Sequence, residues 1–300
     1  MSTNISLAFS DTGKKHAMVS LFLLGGLLFL RFPFLIPMQM ASNNQPALGF
    51  AALVIFSVGT YLLTAILIWW ERERLQDFWI DLASAITFLC QVFCFPIGIG
   101  LFWAMRRSHA KFPALPPGAW RWLLVGAILA LVSNIFIINL GIEPPDSRSA
   151  DPANLMFLLP AVLTQITIAA ILEEPLFRGF LWGYLRRWHW PNVLIWLFQA
   201  ALFASGHVYY LQTEAFAPWL IRMMIPALLI GFIAWQARSI FASMVTHGIF
   251  NASADMLHHT RSLSEAIQVS WGVAVILTGI FVAVWSLEWL KHRQSSATYR

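Results

Sequence analysis

Long apolar runs, separated by short polar or proline-rich links, dominate this 300-residue chain. A helix rises 1.5 Å per residue, so about 20 apolar residues span the hydrocarbon core of a bilayer. Runs of that order predict helices over about 17–38, 47–70, 82–105, 120–142, 155–188, 191–207, 217–237, 239–256 and 267–290. The runs are continuous, whereas the strands of a transmembrane barrel alternate apolar and polar positions. The pattern therefore predicts an all-α, polytopic helical membrane protein with about eight or nine transmembrane helices.

The links set orientation. Arg106, Arg107 and Lys111 lie in a proline-rich loop, Arg186-Arg187 and Arg238 in short turns, and Lys291, Arg293 and Arg300 in the tail. Lys and Arg collect on the cytoplasmic side of membrane proteins. These links are expected inside, and the loops around Glu143, Glu214 and Arg261 outside. Lys14-Lys15 would also place the N-terminus inside, which an odd number of crossings does not accommodate. A composition shift near residue 120 divides the chain: an N-terminal appendage of three spans over 1–119, a helical core over 120–256, and a final span with a basic tail over 257–300. No internal repeat is visible. The first apolar run lacks a small-residue cleavage pattern and reads as a retained helix.

Composition sharpens this picture at three points. Hydrophobic residues make up 59% and charged residues 11%, which leaves no room for a sizeable soluble domain. Many of the 15 Trp lie near run ends, among them Trp69, Trp70, Trp188, Trp190 and Trp219, as in an interfacial belt. The net charge of +5 sits in loops without a basic, aromatic-interleaved run, so topology explains it and nucleic acid is not an expected partner. Cys90 and Cys94 read as small buried side chains rather than a disulfide or metal pair.

Polar residues inside the apolar runs carry the candidate chemistry. Glu173, Glu174 and Arg178 fall within six residues of one run. A charge at the centre of a membrane helix costs about 2.5–3.5 kcal/mol, so three facing lipid would cost on the order of 8–10 kcal/mol. They are expected to face a protein-lined interior. Glu174 and Arg178 are four apart with the acid first, the spacing of a helical ion pair. Glu173 points about 100° away and is left for another task. Pro175 lacks an N–H and frees the carbonyl of Ile171, which predicts a kink or local opening. Gly179 and Gly183 form a small face for close contact with another helix. Farther on, Phe203 and His207 are four apart, as are His247 and Asn251. Taken singly, His207 reads as a helix-end residue, and His247 with Asn251 as an interhelical hydrogen bond.

The ordered trio Glu173-Glu174-x-x-x-Arg178, Phe203-x-x-x-His207 and His247-x-x-x-Asn251 resembles the CPBP family of intramembrane proteases, also called the CAAX-protease or ABI family. The resemblance covers about 120–256 and implies a CAAX-protease-like helical core. It implies catalytic roles for Glu173, Glu174, Arg178, His207, His247 and Asn251. Glu173 would be the base, oriented by Glu174 and Arg178, although the two glutamates could exchange roles. His207 would shuttle the proton, and His247 with Asn251 would stabilise the oxyanion. One Glu and two His could instead form a zinc set with an open position. No His-Glu-x-x-His motif is present, and a metal-free glutamate mechanism fits at least as well.

The function expected is an intramembrane endopeptidase acting on a peptide or membrane-protein substrate within the lipid bilayer. The location expected is a prokaryotic inner membrane. Two other classes compete: a non-catalytic binding or bacteriocin-immunity protein on the same scaffold, and a small transporter with midplane acids. A transporter would be marked by inverted repeats.

Overall fold

The structure is a computed structural model that describes residues 11–31, 46–81, 115–140, 165, 170–212 and 215–258. The expected third and ninth spans, and Cys90 and Cys94, lie outside the described residues. Those described form helices and turns, with no strand among them. They give α1 (Asp11–Arg31), α2 (Pro46–Trp70), a 3-10 turn (Leu75–Phe78) and α3 (Ala119–Asn139). A continuous helix α4 runs through Ile171–Glu174, Pro175–Leu181 and Trp182–Arg187. Then come α5 (Asn192–Ser205), a 3-10 turn (Val208–Gln212), α6 (Phe216–Ala237) and α7 (Ile240–His258).

Among the described residues two helices, Ala119–Ile137 and Phe216–Ala237, are long and apolar enough to cross a membrane. The eight or nine spans expected from the sequence are thus met only in part. Among the remaining helices, α4 is interrupted by Glu173, Glu174 and Arg178. Helix α5 has 14 residues. Helix α7 carries Ser243, Thr246, His247, Asn251 and Ser253 among its apolar residues. The outer surface is apolar nonetheless. On α3, Val125, Ile128, Val132 and Phe136 form an exposed stripe at helical spacing. Val58, Leu62, Ile66 and Trp69 do the same on α2, and Val193, Leu194, Leu197 and Phe198 on α5. Contiguous apolar surface on this scale suits lipid rather than water.

Helix α4 lies at the centre. Its residues Leu176, Phe177, Phe180, Leu181, Trp182, Tyr184 and Leu185 are all buried. They share one hydrophobic cluster with Leu23, Leu24 and Leu27 of α1, Leu67 and Ile68 of α2, Phe78 to Ile80, and residues of α5, α6 and α7. The N-terminal helices therefore pack directly on the motif helix. Glu71, at the end of α2, accepts hydrogen bonds from Ser20 and from the Tyr184 hydroxyl, the latter at 2.6 Å. His16 Nε2 lies 3.2 Å from the same carboxylate.

Segment 75–81 wedges between α4 and the start of α7. Phe78 packs on Phe180 and Tyr184, with ring centroids 5.2 and 5.0 Å apart. The carbonyl of Trp79 accepts from the backbone N–H of Ile240 at 3.0 Å. Ser239 donates to Asp81 and accepts the N–H of Phe241 at 3.2 Å, so one hydroxyl both caps α7 and ties it to the wedge. The small face of Gly179 and Gly183 meets this wedge. A Cβ at Gly183 would collide with the ring of Phe78. Phe78 is fully buried, so it has nowhere to retreat. Gly183→Ala should lose about 1–3 kcal/mol, read as a lower thermal midpoint in detergent. Gly25→Ala, where a Cβ meets nothing within 4 Å, should not move it.

Candidate active site

Helix α4 delivers both glutamates just before an unusual stretch. Pro175 opens seven residues of π-helix, Pro175–Leu181. The expected local opening thus takes the form of a widened helix, whose i→i+5 bonding accommodates a residue without an N–H. Phe177 and Arg178 lie within this wide section and are buried.

Arg178 is wholly buried and donates from one Nη to Glu174 Oε1 at 3.0 Å, as the four-residue spacing predicts. Its other Nη donates to the carbonyl of Ala227 on α6 at 3.1 Å. The guanidinium also lies over the Phe203 ring, 4.6 Å from its centroid. A buried cation thus gains a carboxylate, a carbonyl and an aromatic face from three helices.

Helix α7 brings His247 to the same carboxylate. His247 Nδ1 lies 2.9 Å from Glu174 Oε1, and Nε2 lies 3.7 Å from Glu173 Oε2. A carboxylate held by arginine only accepts, so Nδ1–H is the donor and Nε2 is the nitrogen turned to Glu173. Successive helix residues point about 100° apart, yet both glutamates reach one imidazole because their side chains converge on it from either side. The other oxygen of Glu174, Oε2, is buried without a hydrogen-bond partner among the described residues. Glu173 is less enclosed, at 7% exposure against 0% for Glu174.

His207 follows the last turn of α5. Its Nδ1 donates to the carbonyl of Phe203 at 2.9 Å, which caps the helix and leaves Nε2 as the acceptor of the neutral ring. The Phe203 ring touches His207, His247 and Phe177, with centroids 4.8, 5.9 and 5.4 Å away. Asn251 stands one turn beyond His247 on α7 and donates to Gln165 Oε1 at 3.2 Å. The structure therefore joins Glu173, Glu174, Arg178 and His247 directly. It links His207 to them through Phe203, and it places Asn251 at the edge, held by Gln165.

Three participants escaped sequence reasoning. Gln165 lies eight residues before Glu173 with no motif around it. The Ala227 carbonyl has no side-chain signature at all. Gln199 on α5 is fully buried and approaches that same carbonyl at 3.5 Å. A polar residue within the apolar run of α5 was the one signal available for it.

Among the described residues no group of three His, Cys, Asp or Glu side chains is arranged to hold a metal ion. His247 directs one ring nitrogen to each glutamate.

No curated protein and no solved structure matches the chain. One family model does: the type II CAAX prenyl endopeptidase Rce1-like model matches residues 155–253, about a third of the chain. The match begins before the paired glutamates and ends two residues past Asn251, so it contains all three motifs. By this match the motif-bearing segment is similar to the CAAX protease (CPBP) family of membrane proteases.

Proposed function

We propose that the protein is a multi-pass intramembrane endopeptidase that turns a glutamate-activated water against a peptide bond. The observation that carries this reading is the clasp on His247. Two glutamates of α4 engage one imidazole of α7, and a buried arginine holds the inner glutamate. Such an arrangement separates an orienting acid from a working one.

Glu173 draws a proton from water as the oxygen attacks the carbonyl carbon. Apolar surroundings favour a carboxylate in that task. Glu174, fixed by Arg178, holds Nδ1–H of His247 and so aims Nε2 at the reacting centre. In its cationic form His247 donates Nε2–H to the developing oxyanion. Asn251 keeps one amide N–H on Gln165 and offers the second to the same oxygen. His207, proton-accepting at Nε2, receives the proton from Glu173 and passes it to the leaving amine. No step is routed through a metal.

A multi-pass protein in a prokaryotic inner membrane agrees with the exposed apolar stripes and with the gathering of arginines at one end. Arg186, Arg187 and Arg238 line one cleft, as expected of links that share the cytoplasmic side.

The test uses the full-length protein in lipid nanodiscs with a quenched, prenylated C-a-a-X peptide, the substrate class named by the family model. Mass spectrometry should find a single internal cut. His247→Ala should abolish it while the unfolding midpoint stays within a few degrees. Uncut peptide, or cleavage unchanged in that variant, would reject the reading. Dialysis against a chelator, with zinc content measured, should leave turnover intact.

A further inference from the structure

We propose that the arginine-rich cleft at the C-terminal end of α4 binds a phosphoryl group at the level of the lipid headgroups. The cleft has a volume of about 900 Å³ and is bordered by Asp77, Trp79, Arg186, Arg187, Trp235 and Arg238. It lies 12 or 13 residues along α4 from Glu174, roughly 18–20 Å at helical rise, and shares no residue with the proposed active site.

The charges in this cleft do not cancel. Arg187 is paired with Asp77 at 2.9 Å and stands 4.0 Å from buried Glu71. Asp81 takes the hydroxyl of Ser239. Arg186 donates to a backbone carbonyl, that of Asp77, and its guanidinium lies over the Trp79 ring, 4.5 Å from the centroid. The Asp77 carboxylate attracts Arg186 as well, while Arg187 and exposed Arg238 act on Arg186 as like charges. Three guanidinium groups thus share one cleft with two carboxylates, Asp77 and Asp81, and among the described residues neither Arg186 nor Arg238 forms a salt bridge, which leaves room for a phosphate mono- or diester between them. Guanidinium forks match phosphate oxygens in pairs.

Backbone and depth agree. Trp79 and Arg238 both adopt left-handed backbone conformations, with φ of 55° and 49°, which are uncommon away from glycine and here turn their side chains to the same cleft. Trp69, Trp188 and Trp190, at the ends of α2, α4 and α5 on this side, are exposed. Exposed indoles at helix ends mark the interface between hydrocarbon and headgroups. A phosphoryl group at that depth belongs to a lipid or to phosphate from the adjoining solution, and the chemistry of recognition is common to both.

The test takes the purified full-length protein in mixed detergent micelles and measures bound lipid by native mass spectrometry. Phosphatidylglycerol should be retained over an uncharged diacylglycerol. Arg238→Gln, which breaks no hydrogen bond or salt bridge among the described residues, should weaken retention about fivefold, and adding Arg186→Gln should weaken it about fivefold again. Arg238→Lys should recover most of it. A second arm adds inorganic phosphate alone. Phosphate binding that is lost in Arg238→Gln, without lipid retention, assigns the site to the free anion. Equal retention of charged and uncharged lipid with no phosphate binding overturns the proposal. So does retention unchanged in the double variant.

Discussion

Glu173→Gln should lose about 10²–10⁴-fold in cleavage rate, with the fold intact. The substitution keeps shape and removes the basic oxygen. Glu173 sits at the less enclosed edge of the clasp, 3.7 Å from His247 Nε2, so an amide can take its place without stranding a buried charge. The measurement is single-turnover cleavage of the peptide beside a thermal unfolding scan. An unfolding midpoint near that of the parent protein, together with a rate within threefold of it, would remove Glu173 from the role of base. The same assay on Glu174→Gln separates the two acids. Glu174 already carries Arg178 and His247 on one oxygen, so its loss should damage folding as well as rate.

Arg178→Ala should destabilise the protein by about 3–5 kcal/mol, the largest folding effect expected of any single change in this chain. Truncation strands Glu174, whose side chain is fully buried, and opens a void against Phe203. It also removes the donor that Ala227 receives from α4. Arg178→Lys should recover only part of the loss, because one ammonium cannot match the fork that reaches both Glu174 and Ala227. Chemical unfolding in mixed micelles would read both variants, and a midpoint unchanged in Arg178→Ala would contradict the buried-pair account.

Local signals served the sequence reading well and distant ones poorly. The pair Glu174 and Arg178 was legible because four-residue spacing on a helix is a local rule, and it appears at 3.0 Å. Close contact at Gly179 and Gly183 was legible for the same reason, although the partner is the 75–81 wedge rather than another helix. Pro175 announced a disturbance but not its form, since a kink and a π-helix both answer a missing N–H. The clasp on His247 joins residues 73 positions apart, and the bond from Asn251 to Gln165 spans 86. Neither leaves a periodic trace. Span counting from hydropathy met a different obstacle. Helices that carry the site's polar groups dilute their own apolar signal, as α4 and α7 do.

The contact between Tyr184 and Glu71, together with the seating of Phe78 against Gly183, bears on how much of the polypeptide an active preparation must include. A fragment cut to residues 155–253 would bare the trough that Phe78 fills and deprive α7 of the Trp79 carbonyl that anchors its first turn. Expression of such a fragment should yield aggregated material, and co-expression with residues 1–154 as a separate chain, which restores α3 on Ile249 and Phe250 as well as the wedge, should rescue it. The smallest working enzyme is then defined by what braces the motif helix from behind, not by where its signature residues begin and end.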